Sequence, residues 1–324
     1  MAFARYVREG RAGRGHKVRV GSVQNAIGAI GTTFAMAGLP NPTYQPGLGK
    51  AYWDSISRML ATYTREDPKA QPKLAVPVGL TQHLLDQHPQ APPHEAAKRE
   101  AAADLINIAF YYLLRVGEYT KPKSHRTNTI PIRVADITFR NHHGHKIPHT
   151  APLQTLLQAA EATIWIPNQK KGTKGECIHH QCTGTPHSPI KSLARRIHHI
   201  LSHGGTGSTG LYYYQCPFNT GWQAITSHYI NTTLKRAAAD TNLYQLGYTP
   251  SDVSSHSLRA GGAMAMHLNG IDITTIMKIG RWKSITFLNY IHEQISAFTT
   301  GVSIKMSTNI PFRHIAGPTL VTNP

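Results

Sequence analysis

The sequence predicts a mainly α protein with one small antiparallel β-sheet, an α+β chain, and three observations lead there. Apolar residues recur at three- and four-residue steps through most of the chain, the period shortens toward two only in its middle, and Gly and Pro fall between the periodic stretches. In residues 20–39, Val23, Ala26, Ile27, Ile30 and Phe34 stand at helical spacing, and Gly38 and Pro40 stop the run. A second helical pattern covers 51–63 through Tyr52, Ile56, Met59, Leu60 and Tyr63, followed by the Pro- and Lys-bearing DPKAQPKLAVPV. Residues 1–90 therefore read as a small helical domain, QHPQAPPHEAAKRE as the linker into a second domain over 91–310, and 311–324 as a tail. Pro92 and Pro93 open a long helix over 95–115, with Ala102, Leu105, Ile106, Ala109, Phe110 and Leu113 on one side. IRVADITF at 132–139 and ATIWIP at 162–167 are rich in β-branched and aromatic residues, and ECIHH follows the turn text NQKKGTKG, so a small sheet with a hairpin at that turn is predicted. Helical patterns then resume over 190–201, 226–239, 257–268, 272–279 and 284–295.

The charge is strongly one-sided. The 324 residues hold 34 Lys and Arg against 16 Asp and Glu, a formal charge of +18, which asks for a polyanionic partner. Arg5, Arg8, Arg11, Arg14, Lys17 and Arg19 crowd the N-terminus with only Glu9 among them, a pattern of phosphate contacts or of a solvated tail. No unbroken apolar run approaches the ~18 residues of a membrane span, and the first residues lack a secretory stretch, so a soluble chain that stays inside a cell is expected, with no membrane partner. Three cysteines, Cys177, Cys182 and Cys216, are too few for a disulfide framework and suit a reducing compartment.

Several motifs lead nowhere. Gly205, Gly207 and Gly210 spell G-x-G-x-x-G, but no strand precedes them and no helix opens after them, so the segment reads as a loop. Cys177, His179, His180 and Cys182 have the composition of metal ligands, yet they crowd one predicted strand, where alternate side chains point to opposite faces. The sequence has no Walker lysine loop and no H-E-x-x-H pair, so neither a nucleotide nor a metal cofactor is expected.

What remains is a set of basic residues and one tyrosine. Arg115 lies in YYLLRVGEYT with Glu118 three residues on, an arrangement that a helix-end charge with its own partner would also give. In SSHSLRAGGAMAMHLNG, His256 and Arg259 share a helix face, and Ala260 to Ala263 are small enough for close approach. A histidine moves protons near neutral pH, and an arginine forks onto two phosphate oxygens. IGRWKSITFLNYIHE then carries Trp282 and Tyr290.

Taken together these residues resemble the tyrosine recombinases, also called phage-type integrases, over roughly residues 95–295. The family pattern of R-x-x-E, a lysine in a β-hairpin turn, H-x-x-R, then His or Trp, then tyrosine reads here as Arg115 with Glu118, Lys170, His256 with Arg259, Trp282 and Tyr290. Trp282 precedes Tyr290 by one residue fewer than is common in the family, which leaves Arg281 as the alternative; Trp282 is preferred because the family accepts it and its indole N–H can donate to a phosphate oxygen. Lys171 and Lys174 share the hairpin turn with Lys170 and would at least contact DNA.

The resemblance implies a catalytic domain of that family behind a small core-binding domain that clamps DNA, here short enough to be a truncated one. It implies cutting and rejoining of double-stranded DNA through a 3′-phosphotyrosyl link on Tyr290, without metal or ATP. Arg115 and Arg259 would hold the non-bridging oxygens, Lys170 would protonate the leaving 5′-oxygen, His256 would assist proton transfer, Trp282 would donate to phosphate, and Glu118 would orient its neighbours. A homotetramer on two synapsed sites follows by analogy, as does a mobile-element origin. The location would be the nucleus if the source is eukaryotic and the cytoplasm otherwise. The rival readings are an inactive DNA-binding relic and a type IB topoisomerase, which relaxes one supercoiled circle instead of exchanging strands between two DNA molecules.

Overall fold

The computed structural model describes residues 1–13, 15–68, 73–122, 129–168, 175–218 and 221–284. The described chain is mainly helical, with a four-stranded antiparallel sheet and a two-stranded ribbon, and it divides into two units, Met1–Gln71 and Pro72–Pro324.

In the first unit, α1 (Ala2–Arg8), α2 (Val20–Met36) and α3 (Asp54–Glu66) bury Ala4, Val7, Val23, Ile27 and Leu60 against one another. The stop signal at Gly38 works by geometry: Gly38 takes φ +72°, so its N–H reaches the Ala35 carbonyl and the Leu39 N–H reaches that of Phe34, closing the end of α2. Helix α1 carries no periodic signal because its short run has too few turns to show one.

Arg8 departs from its predicted role as a phosphate contact. It is buried, donating to the Val18 carbonyl at 2.6 Å and pairing with Asp67 and with Glu66, the latter at 3.3 Å. Asp67 also accepts from the Val20 amide at 2.7 Å. That amide first, and Arg8 after it, hold the Asp67 carboxyl below the ordinary carboxylate range. Arg8 therefore ties α1 to the start of α2 and the end of α3, and it is not presented to a ligand.

The second unit is built around α5 (Pro93–Tyr111), buried from Ala101 to Phe110, where its two polar side chains are satisfied: Asp104 accepts from Arg195 at 3.0 Å and Asn107 donates to the His187 carbonyl at 3.0 Å. Helix α4 (Val78–Gln87) packs on it through Leu80, which is why the break between units falls at Gln71–Pro72 and not near residue 90. Further along come α6 (Val116–Tyr119), β1 (Ile137–Arg140), β2 (Lys146–Ile147), α7 (Leu153–Leu157), β3 (Glu161–Ile166) and β4 (Glu176–Gln181). The sheet runs β2-β1-β3-β4, antiparallel throughout, with Ile137 opposite Ile164 and Ile166 opposite Glu176. The predicted strand over 132–139 is shorter than expected. Asp136 accepts from the Arg133 amide at 2.8 Å and coils 134–136 into a single 3-10 turn, so the strand starts only at Ile137. Helix α8 (Pro189–Ser202) leads through the glycine loop to a small ribbon of β5 (Tyr213–Tyr214) and β6 (Gln223–Ala224). Next in the chain are α9 (Ser227–Asp240), α10 (Ser255–Leu268) and α11 (Ile273–Gly280); the predicted helix over 284–295 lies outside the described residues apart from Ser284.

The small residues of α10 serve close approach. A Cβ on Gly262 would collide with the Phe110 carbonyl and the Leu113 side chain, and one on Gly261 would lie 2.9 Å from the Phe110 ring and closer still to the Val76 carbonyl. Overpacking of this kind costs roughly 1–3 kcal/mol. Gly262→Ala is thus expected to destabilise the fold by an amount in that range, read as a lower urea midpoint, and an unchanged midpoint would mean that α10 and α5 do not touch as described.

Candidate active site

The long helix predicted to reach Arg115 ends at Tyr111 instead, and the site is built on residues 113–118. Leu113 takes φ +47°, the left-handed region that a non-glycine side chain seldom adopts. Beyond it Arg115 stands as the N-cap of α6, with Glu118 at the third helical position. The three-residue spacing lets the Glu118 carboxylate reach back: it accepts from the Arg115 amide at 2.8 Å and from the Arg115 guanidinium at 3.2 Å. Glu118 is buried, whereas the Arg115 side chain keeps a third of its surface exposed.

Arg281 supplies the other half of that carboxylate's partners. Its two terminal nitrogens lie 3.2 and 2.9 Å from the two Glu118 oxygens, and one of them also donates to the Leu113 carbonyl at 3.1 Å. Arg281 itself sits at φ +55° at the end of α11, where the Trp282 amide bonds back to the Met277 carbonyl at 2.9 Å. The preceding Gly280 is needed there, because a Cβ would fall inside the Trp282 ring.

Helix α10 delivers the H-x-x-R pair. Ser254 caps it by accepting from the His256 amide at 3.3 Å, and the Ser257 hydroxyl accepts from the Ser254 amide at 3.0 Å. His256 is exposed in the first turn, and Arg259 one turn on is buried. Arg259 donates to the Leu113 carbonyl at 2.7 Å and to the Gly280 carbonyl, and its guanidinium carbon lies 4.4 Å from the centre of the Trp282 ring. Two carbonyls and an aromatic face thus fix the plane of a cation.

The structure therefore brings Arg115, Glu118, Arg259 and Trp282 together, with His256 on the same helix as Arg259, and it adds Arg281 and the Leu113 carbonyl. Spacing alone offers Arg281 only as the alternative to Trp282, and here both side chains take part. The Leu113 carbonyl has no signal in the sequence, since a backbone atom is recruited by conformation and not by side-chain identity. Lys170, Lys171, Lys174 and Tyr290 lie outside the described residues. In the sequence those lysines fall between β3 and β4, whose terminal pair is Ile166 and Glu176.

Of the N-terminal cations, Arg5 and Arg11 pair with Glu9 at 3.0 and 2.8 Å, Lys17 pairs with Glu66 at 3.1 Å, and Arg19 is exposed at the start of α2. All four are on the surface, where an ion pair is worth little. Arg14 is outside the described residues. Among the described residues no helix is long and apolar enough to cross a membrane.

Leaving Arg281 buried without its carboxylate should cost about 3–5 kcal/mol, the usual penalty for halving a buried pair. Glu118→Ala is expected to lose stability on that scale in denaturant titration, and Glu118→Gln, which keeps one accepting oxygen, to lose less. A loss under ~1 kcal/mol in Glu118→Ala, the scale of exposed pairs, would show that solvent reaches the pair.

No protein-family model matches the chain, and no curated protein does. Among solved structures it is similar to the XerH site-specific recombinase bound to palindromic difH substrate in a post-cleavage complex, at 15% identity and a TM-score of 0.55 over 94% of this chain and 72% of that one. The Tn1549 transposon integrase in complex with circular intermediate DNA gives 13% identity and a TM-score of 0.44 over 89% and 78%. The XerA recombinase gives 13% and 0.44 over 96% and 82%. At these identities the likeness is one of fold, that of the tyrosine recombinases, and the two weaker superpositions add nothing to the first.

Proposed function

We propose that the protein is a site-specific DNA recombinase that breaks and rejoins double-stranded DNA through Tyr290. The observation that carries this is the gathering of Arg115, Arg259 and Trp282 around the Leu113–Glu118 segment, within a fold like that of a recombinase whose structure holds its DNA substrate. Attack on a phosphodiester needs a nucleophile, charge neutralisation at the non-bridging oxygens and an acid for the leaving alkoxide.

In this reading the Tyr290 oxygen attacks the scissile phosphorus and the bond to the 5′-oxygen breaks, leaving a 3′-phosphotyrosyl enzyme and a 5′-hydroxyl. The phosphodiester's energy stays in the covalent link, so a 5′-hydroxyl from another strand reverses the step without ATP. Arg115 and Arg259 hold the non-bridging oxygens, where charge-assisted bonds strengthen as negative charge builds. Lys170 protonates the departing oxygen, with Lys171 and Lys174 beside it on the DNA backbone. His256 assists proton transfer, Trp282 steadies the plane of Arg259 and donates to phosphate, and Glu118 with Arg281 positions Arg115. The exposed Arg5, Arg11, Lys17 and Arg19 add phosphate contacts that carry no base code. Assembly as a homotetramer on two paired sites belongs to the same reading.

The test is a covalent trap. Wild type and Tyr290→Phe are incubated with pools of nicked duplex DNA, and adducts that survive denaturant are sequenced. An adduct in wild type that disappears in Tyr290→Phe, with DNA affinity nearly unchanged, is expected; strand cleavage retained in Tyr290→Phe would overturn the assignment. Arg259→Ala should slow cleavage by ~10²–10³-fold, the usual effect of losing one preorganised donor. A drop of less than about threefold would place the phosphate clamp elsewhere.

A further inference from the structure

A second group of reactive side chains lies on the outward face of the β3–β4 pair. Cys177 is exposed on β4, its Sγ 3.4 Å from Nε2 of His179, whose Nδ1 lies 2.7 Å from the Thr163 hydroxyl on β3. Register produces this group: Thr163 stands opposite His179 and Trp165 opposite Cys177, and residues two apart share a face. His180, between them, turns the other way, onto the Tyr111 carbonyl at 2.9 Å, where burial pushes its imidazole pKa down.

The Thr163 hydroxyl is buried behind the ring and suits both of its protonation states. In the tautomer protonated on Nδ1 its oxygen accepts from Nδ1–H, and in the other its hydroxyl donates to Nδ1. With the proton on Nδ1, Nε2 faces the thiol as an acceptor; after proton transfer both ring N–H groups are still engaged, one by Thr163 and one by the thiolate sulfur. Nucleophile, base and orienting group thus stand in order. The other two thiols are placed differently: Cys182 is half-buried against the core, and Cys216 is buried with its thiol on the His94 carbonyl at 3.3 Å.

We propose that Cys177 and His179 form a reactive thiol site that takes small disulfides. The Cys177 proton passes to His179 Nε2 and the sulfur attacks one sulfur of the disulfide. The old S–S bond breaks as the new one forms, and the departing thiolate leaves with the bonding electron pair. The proton on His179 then returns to solvent. Trp165, 48% exposed beside Cys177, gives an aromatic disulfide a face to lie on. Among the described groups next to the pair, the charged ones on the same face are Glu161 and Arg140, which stand opposite each other in the sheet and pair at 3.5 Å. The site does not depend on the recombinase reading.

The probe is dithiodipyridine, a neutral aromatic disulfide that the protein's positive charge does not steer, reacted with the full chain while the released thiopyridine is followed. One thiol is expected to react in a fast phase that Cys177→Ser removes and Cys182→Ser keeps. An ordinary thiol reacts through the few per cent ionised at pH 7, so its rate falls about tenfold per pH unit below that. The fast phase of wild type should fall less steeply, and His179→Gln should restore the steep slope and slow the reaction about fivefold or more at pH 6. Thr163→Val, which keeps the side chain's shape and the base, should give an intermediate rate. A fast phase that survives Cys177→Ser would overturn the proposal. So would a rate and pH slope left unchanged in both His179→Gln and Thr163→Val.

Discussion

The site depends on a buried carboxylate. An isolated carboxylate taken out of water costs several kcal/mol, and Glu118 is buried to the last few square ångströms. The chain answers with four hydrogen bonds, two from Arg115 and two from Arg281. Each constrains the backbone. For the Arg115 amide to reach Glu118, Arg115 must cap α6, so α5 has to stop before it. It does so at Tyr111, and the next turn puts Leu113 in the left-handed region with its carbonyl toward α10 and α11. That carbonyl then becomes the common acceptor for Arg259 and Arg281.

Packing makes this reachable. A guanidinium on α10 can meet a carbonyl at the end of α5 only if the two helices touch backbone to side chain, and Gly261 and Gly262 allow that where any Cβ would collide. The α11 end must arrive at the same place, which the left-handed turn at Arg281 and the absent side chain of Gly280 permit by folding the Trp282 ring over the helix end. Two neighbouring helices thus meet a segment 146 residues earlier in the chain through small residues and carbonyls, and the long cationic side chains are held by their surroundings. Rigid support of this kind distinguishes a preorganised donor from a flexible surface cation.

The parts of the fold that repeat are legible in the sequence. Helices α2, α3, α5, α8, α9, α10 and α11 announce themselves by apolar spacing, and the β3–β4 hairpin by its turn text, since local period and local turn chemistry decide them. Elements too short to show a period, such as α1, α7 and β2, do not. The end of α5 escapes for a different reason. Leu113 is a good helix former, and what bends the chain there is the demand of Glu118, Arg259 and Arg281, two of which come from the other end of the domain. Arg8 shows the same limit for charge, because a basic run looks alike whether its members face solvent or one of them is sunk against Asp67. Family-like spacing identifies Arg115, Glu118, His256, Arg259 and Trp282, and the geometry gives that spacing its meaning for the first two as a capping arrangement.

Charge accounting gives the cluster its direction. Arg115, Arg259 and Arg281 are three permanent cations gathered near one carboxylate, Glu118. Backbone carbonyls and the Trp282 ring face these cations as well. Held close together and partly out of water, like charges destabilise the fold, the more so in a chain that already carries a formal +18. On the proposed reading a phosphodiester would supply one negative charge here, and crowding at phosphorus would concentrate more on its non-bridging oxygens. The cluster would then be neutralised step by step as that reaction advances, and its interaction would be stronger with the crowded phosphorus than with the resting one. That difference between states is the only part of binding that accelerates a reaction.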